Sequence, residues 1–124
     1  MIKPTESELE ILHVLWQNGP STVRFVHEKL NAQKDVGYTT TLKLMQIMAE
    51  KGLVRRNVDS RTHVYEAAVT ESDAQKELLS GFLHSAFRGS AMKLVMQALG
   101  NHRASREELD EIRRLIEKME GDKQ

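Results

Sequence analysis

Apolar residues recur at helical spacing almost from the start of the chain. Leu9, Leu12 and Trp16, flanked by Ile11 and Leu15, fall on one side of a 3.6-residue repeat. Thr5 and Glu8 precede them as a T-x-x-E capping box, in which the hydroxyl takes an orphan amide and the carboxylate bonds back, so a helix is expected to begin there. Asn18-Gly19-Pro20 ends it, because glycine tolerates positive φ and proline cannot continue the hydrogen-bonded ladder. Ser21 and Thr22 then offer caps for a short second helix with Val23, Val26 and Leu30 as its stripe, ending near Asn31. After a polar stretch from Gln33 to Tyr38, Thr39-Thr40-Thr41 is expected to open a third helix that reaches Lys51 and stops at Gly52.

The period then changes. Leu53 to Val58 and Thr62 to Ala67 read as two β-rich runs around the polar turn Asp59-Ser60-Arg61, a hairpin. From Thr70-Glu71-Ser72-Asp73 onward the pattern is helical again, broken near Gly89-Ser90 and from Gly100 to Ala104. The fold class is therefore mainly α with a small β hairpin. Residues 1–70 fit a winged helix-turn-helix and residues 71–124 a helical dimerisation tail.

The tail carries more apolar surface than it can hide. Leu79, Phe82, Leu83, Ala86 and Phe87 form one stripe, and Ala91, Leu94, Val95, Ala98 and Leu99 another. Ser105 and Glu108 make a second capping box, after which Leu109, Ile112, Ile116 and Met119 follow the three-four-three spacing of a short coiled-coil seam. Three short helices have too little interior to bury all of this, so a second copy of the chain is the expected cover. Folding back onto the N-terminal part is the alternative.

Charge changes the picture locally rather than globally. Lys and Arg total 18, Asp and Glu total 18, and the formal net charge is +0. Between Arg24 and Arg61, however, eight cations face four acids, which is the clustering a phosphate-facing segment requires. On the third helix Thr41, Met45 and Met48 are expected inward with Leu44 beside them, which leaves Thr39, Thr40, Lys43, Gln46 and Ile47 outward. Hydroxyls near a helix N-terminus and a lysine hold phosphate, an amide pairs with a base edge, and an aliphatic group touches a thymine methyl. Arg61 at the hairpin tip and Arg55 on its first strand complete the candidate DNA-binding set. An ordinary solvated helix face has the same polarity, and Arg55 and Arg56 would equally solvate a strand. A winged-helix adaptor that meets a protein instead of double-stranded DNA is thus the rival reading.

Cysteine is absent, and the five histidines never fall at the short spacings of a zinc site. No nucleophile stands with a base, so neither an enzyme nor a cofactor nor a metal site is expected. No stretch approaches the roughly 18 apolar residues of a membrane span. A cytoplasmic protein without membrane insertion is the expectation.

The run YTTTLKLMQIMAEKGLVRR from Tyr38 to Arg56, followed by HVYEA from His63 to Ala67, resembles the penicillinase-repressor (BlaI/MecI) family of winged-helix regulators. The likeness extends to the opening segment Thr5 to Trp16 and to GSAMKLVMQAL in the tail. It implies a homodimeric repressor on a palindromic operator, upstream of a β-lactamase or other resistance or stress gene. It also implies a membrane sensor with a metalloprotease domain that cleaves the tail and ends repression. Staphylococcal-type members carry arginine where this chain has Ile47, and an Asn-Phe junction where it has Gln97-Ala98. The related copper-responsive repressors sense metal through cysteines, a route closed to a chain that has none.

Overall fold

A computed structural model describes residues 2–58, 62–101 and 103–122. The order is α1 (Glu6–Asn18), β1 (Ser21–Thr22), α2 (Val23–Asn31), α3 (Tyr38–Lys51), β2 (Val54–Asn57), β3 (Val64–Ala67), α4 (Glu71–Phe87), α5 (Ala91–Asn101) and α6 (Arg106–Asp122). The chain divides into two compact units, Met1–Gly81 and Phe82–Gln124.

In the first unit α1 starts at the foreseen capping box. The Glu8 amide donates to Thr5 Oγ1 at 3.2 Å and the Thr5 amide donates to Glu8 Oε1 at 2.9 Å. The face it buries is rotated from the expected one. Ile11, Leu12 and Leu15 enter the core, whereas Leu9 and Trp16 are half-buried. Trp16 has other work at the rim, where its indole N–H donates to the Val69 carbonyl at 2.9 Å and ties the chain leaving the sheet to α1. The remaining core is Val23 and Val26 from α2, Met45 and Met48 from α3, and Leu53, Val54 and Tyr65 from the sheet region.

Thr22 caps α2 by accepting from the Phe25 amide at 3.1 Å. Ser21 and Thr22 also pair with Tyr65 and Val64, forming a two-residue strand that has no periodicity to announce it. Together with the hairpin it makes an antiparallel sheet in the order β1-β3-β2. The third helix begins one residue before the threonine triplet, with Gly37 as its N-cap and no side-chain hydrogen bond at the cap. Thr41 instead bonds back through its hydroxyl to the Gly37 carbonyl at 3.4 Å, so the triplet lies within the first turns rather than opening the helix. At the other end Gly52 takes a left-handed conformation, φ 81° and ψ 13°, while the Leu53 amide reaches the Met48 carbonyl and the Gly52 amide that of Ala49. This Schellman arrangement turns the chain directly from α3 into β2 and seats Leu53 in the core.

Thr70 caps α4 through the Asp73 amide at 3.1 Å, and Ala74 is buried, so the first unit takes in the opening turns of α4 and extends to Gly81. Arg88 and Gly89 at φ 50° and 85° separate α4 from α5, and Ser90 and Ser105 cap α5 and α6. Helix α5 continues through Gly100 to Asn101, where the sequence pattern had suggested a break. Among the described residues none beyond Ala74 is buried.

Candidate nucleic-acid interface

The inward assignment on α3 holds: Thr41, Met45 and Met48 are each 0% exposed. That fixes the helix rotation, and Thr39, Thr40, Lys43 and Gln46 are all exposed on the far side. Ile47 is only half-buried, on the flank it shares with Leu44 rather than at the centre of the outward face. Glu50, unremarked in the sequence, joins the outward face near its C-terminal end. The first-turn amides of α3 have no side-chain cap, so they remain available to an acceptor from outside.

The local excess of cations divides into paired and unpaired groups. Lys34 is bonded to Glu10 at 3.2 Å, Lys51 to Glu8 at 2.8 Å and Arg55 to Glu66 at 3.1 Å. Among the described residues Arg24, Lys29, Lys43 and Arg56 have no ion pair. Arg55, a candidate contact, is thus satisfied within the sheet, though both partners of its ion pair are largely exposed and the pair is weak. Arg61 lies outside the described residues.

Several residues absent from the candidate set adjoin it. Arg24, on the first turn of α2, lies over the Tyr38 ring at 5.5 Å from its centroid, and the His27 ring meets Tyr38 edge-on at 5.6 Å. Arg56 and Gln46 line one open groove with Arg24, Tyr38, Thr22 and His63, about 520 Å³ in volume. The aromatic at Tyr38 was visible in the sequence as the residue before the threonines. Its role in holding an arginine depends on the angle between α2 and α3.

In the tail, the apolar residues named as a dimer seam form a surface, not a core. Leu79, Phe82, Ile116 and Met119 are between 49% and 54% exposed, while Leu83, Phe87, Leu94, Leu109 and Ile112 are half-buried. Met92, Met96 and Leu115, missed by the stripe, are also exposed, Met92 at 73%. The i, i+4 spacing of Met92 and Met96 was the available signal.

Comparison with known proteins supplies the family. The family model described as penicillinase repressor matches residues 4–118. The chain belongs to the penicillinase repressor family. A transcriptional regulator BlaI of Mycobacterium tuberculosis (strain ATCC 25618 / H37Rv) is 35% identical over 118 residues, covering 92% of this chain and 83% of that one. A methicillin resistance regulatory protein MecI of Staphylococcus aureus (strain N315) is 24% identical over 114 residues, covering 92% and 93%. A penicillinase repressor of Bacillus licheniformis is 24% identical over 113 residues, covering 91% and 88%. Penicillinase repressors are transcriptional repressors and not enzymes, so this chain acts on transcription. Among the described residues no helix is long and apolar enough to cross a membrane.

Proposed function

We propose that the protein is a homodimeric repressor in which residues 1–70 bind one half of a palindromic operator and residues 71–124 join two copies. The observation that carries this reading is the exposed face of α3. Its inner side is sealed in the core by Thr41, Met45 and Met48, and its outer side presents Thr39, Thr40, Lys43 and Gln46 as a rigid unit. A helix fixed on one face and polar on the other meets the geometric demand of major-groove reading. Lys43 and the threonines contact phosphates, Gln46 reads a base edge, and the exposed part of Ile47 touches a methyl group. The regulated gene is a β-lactamase or another resistance or stress gene, in keeping with the names of the relatives. Release follows cleavage of the tail by a membrane sensor with a metalloprotease domain.

The test is a mobility shift with the full chain on DNA from upstream of its own gene, across a series of salt concentrations. Log affinity falls linearly with log salt if phosphates are neutralised. Gln46→Ala relaxes preference at one base position per half-site, at a cost on the order of 1 to 3 kcal/mol. Lys43→Ala weakens binding to all sequences and lowers the salt slope by about one unit. Binding that ignores salt, or no binding at all, favours the adaptor that meets a protein.

A further inference from the structure

The two arginines of the sheet's second strand are neighbours in sequence but differ in what they can hold. Antiparallel pairing sets Arg55 opposite Glu66 and Arg56 opposite Tyr65. Successive side chains of a strand point to opposite faces, so the two side chains start from opposite faces of the sheet. Arg55 finds its counter-charge at once, 3.1 Å away on Glu66. Arg56 shares the face of Tyr65, whose ring is 1% exposed and packed among the helices. It is itself exposed, and it makes no hydrogen bond or ion pair among the described residues.

Arg56 borders three grooves: one is shared with Arg55 and contains Glu66, and the other two each contain Gln46 and Tyr65. One of these two includes Glu50, a carboxylate that repels phosphate. Among the described residues the other is lined by no acidic one, and it includes Arg24, whose guanidinium lies over the Tyr38 ring. Tyr38 is in turn held by the edge of His27. An arginine stacked on a fixed ring loses less freedom when it binds a planar or phosphate acceptor than one free in solvent.

We propose that Arg24 and Arg56 together grip the sugar-phosphate backbone of one DNA strand in the acid-free groove between α3 and the sheet, with Tyr38 as the positioning residue for Arg24. This rests on the operator-binding reading and deepens it. The groove places the backbone beside Gln46, so the strand that is gripped is the one next to the base that Gln46 reads. Arg55, despite its adjacency, contributes less, since Glu66 holds it.

The experiment measures the salt dependence of binding of the full chain to mixed-sequence duplex DNA, since phosphate contacts do not need an operator. Arg24→Gln and Arg56→Gln each lower the slope of log affinity against log salt by about one unit, and the double variant by about two. Arg55→Gln lowers the slope by less than Arg56→Gln, because Arg55 must first leave Glu66 to reach a phosphate. Tyr38→Phe keeps the ring and the slope, whereas Tyr38→Leu lowers the slope as Arg24→Gln does, with thermal unfolding midpoints recorded to separate positioning from loss of fold. Inorganic phosphate at matched ionic strength competes no better than chloride. Specific displacement by phosphate would assign the groove to a free anion and overturn the proposal. An unchanged slope in both arginine variants, or a lowered one in Arg55→Gln alone, overturns it as well. A wild type without any salt-dependent binding sinks the operator reading itself, which is a separate failure.

Discussion

The ammonium of Lys51, in the last turn of α3, lies 2.8 and 2.9 Å from the two carboxylate oxygens of Glu8, in the first turn of α1. Glu8 is 1% exposed and is also the closing residue of the α1 capping box. One carboxylate therefore closes the start of α1 and anchors the end of α3, the proposed recognition helix. Burial pushes the Glu8 carboxyl up. Against it, the Lys51 hydrogen bond, the Thr5 amide, the Lys51 charge and the Thr5 side chain together hold it below the ordinary value of 4.5.

Because that value is depressed in the folded state, the pair stabilises the protein above pH 4.5 and the contribution fades as pH falls through the folded value. Glu8→Gln is expected to destabilise by about 2 kcal/mol at neutral pH, since Lys51 then loses its counter-charge. Urea unfolding of both proteins at neutral pH and in acid checks this. The gap should narrow in acid, and a gap of constant size would assign the effect to packing rather than charge.

Trp16→Phe keeps an aromatic ring at the rim but removes the donor to the Val69 carbonyl. The expected loss is about 1 kcal/mol in urea unfolding. Stability equal to the wild type would mean that water replaces the indole without penalty.

The tail provides a sharper test. Ile116→Asp combined with Met119→Asp places charge on side chains that are 49% and 54% exposed in a single copy, so the fold of one chain has little to lose. Sedimentation should move from dimer to monomer, and operator affinity should fall by orders of magnitude as the two half-site contacts cease to be linked. A variant that still sediments as the wild type locates the interface elsewhere.

Induction in the cell is expected to produce a fragment that ends between Ala91 and Asn101, a helix whose residues are exposed apart from half-buried Leu94. Immunoblotting against an N-terminal tag, with mass spectrometry to place the cut, reads the outcome. Derepression with only full-length protein present would remove proteolysis as the switch.

The helices and the hairpin were legible because their signals are local. Thr5 with Glu8 announces a capping box within four residues, and Gly52 after Lys51 announces a helix end. The inward face of α3 was legible too, since Thr41, Met45 and Met48 obey the helical period. What stayed hidden depended on pairing between distant segments. Arg55 and Arg56 differ by one position in a strand, and only the register tells which stands opposite Glu66 and which opposite Tyr65. The strand at Ser21 and Thr22 has two residues and exists only because Val64 and Tyr65 pass beside it. Arg24 is one cation among eight in the sequence between Arg24 and Arg61, and only the fold brings the Tyr38 ring of the next helix beneath it.

That same two-residue strand bears on how the protein behaves when many copies crowd along a polyanion. Unpaired N–H and C=O groups at a sheet edge template association with other chains. Here the central strand β3 is flanked on both sides, and one outer strand is too short to offer more than a turn's worth of ladder. The other outer strand, β2, carries two adjacent arginines, so an identical strand laid against it would bring cations together. The short strand and the adjacent arginines thereby disfavour growth of the sheet from either edge.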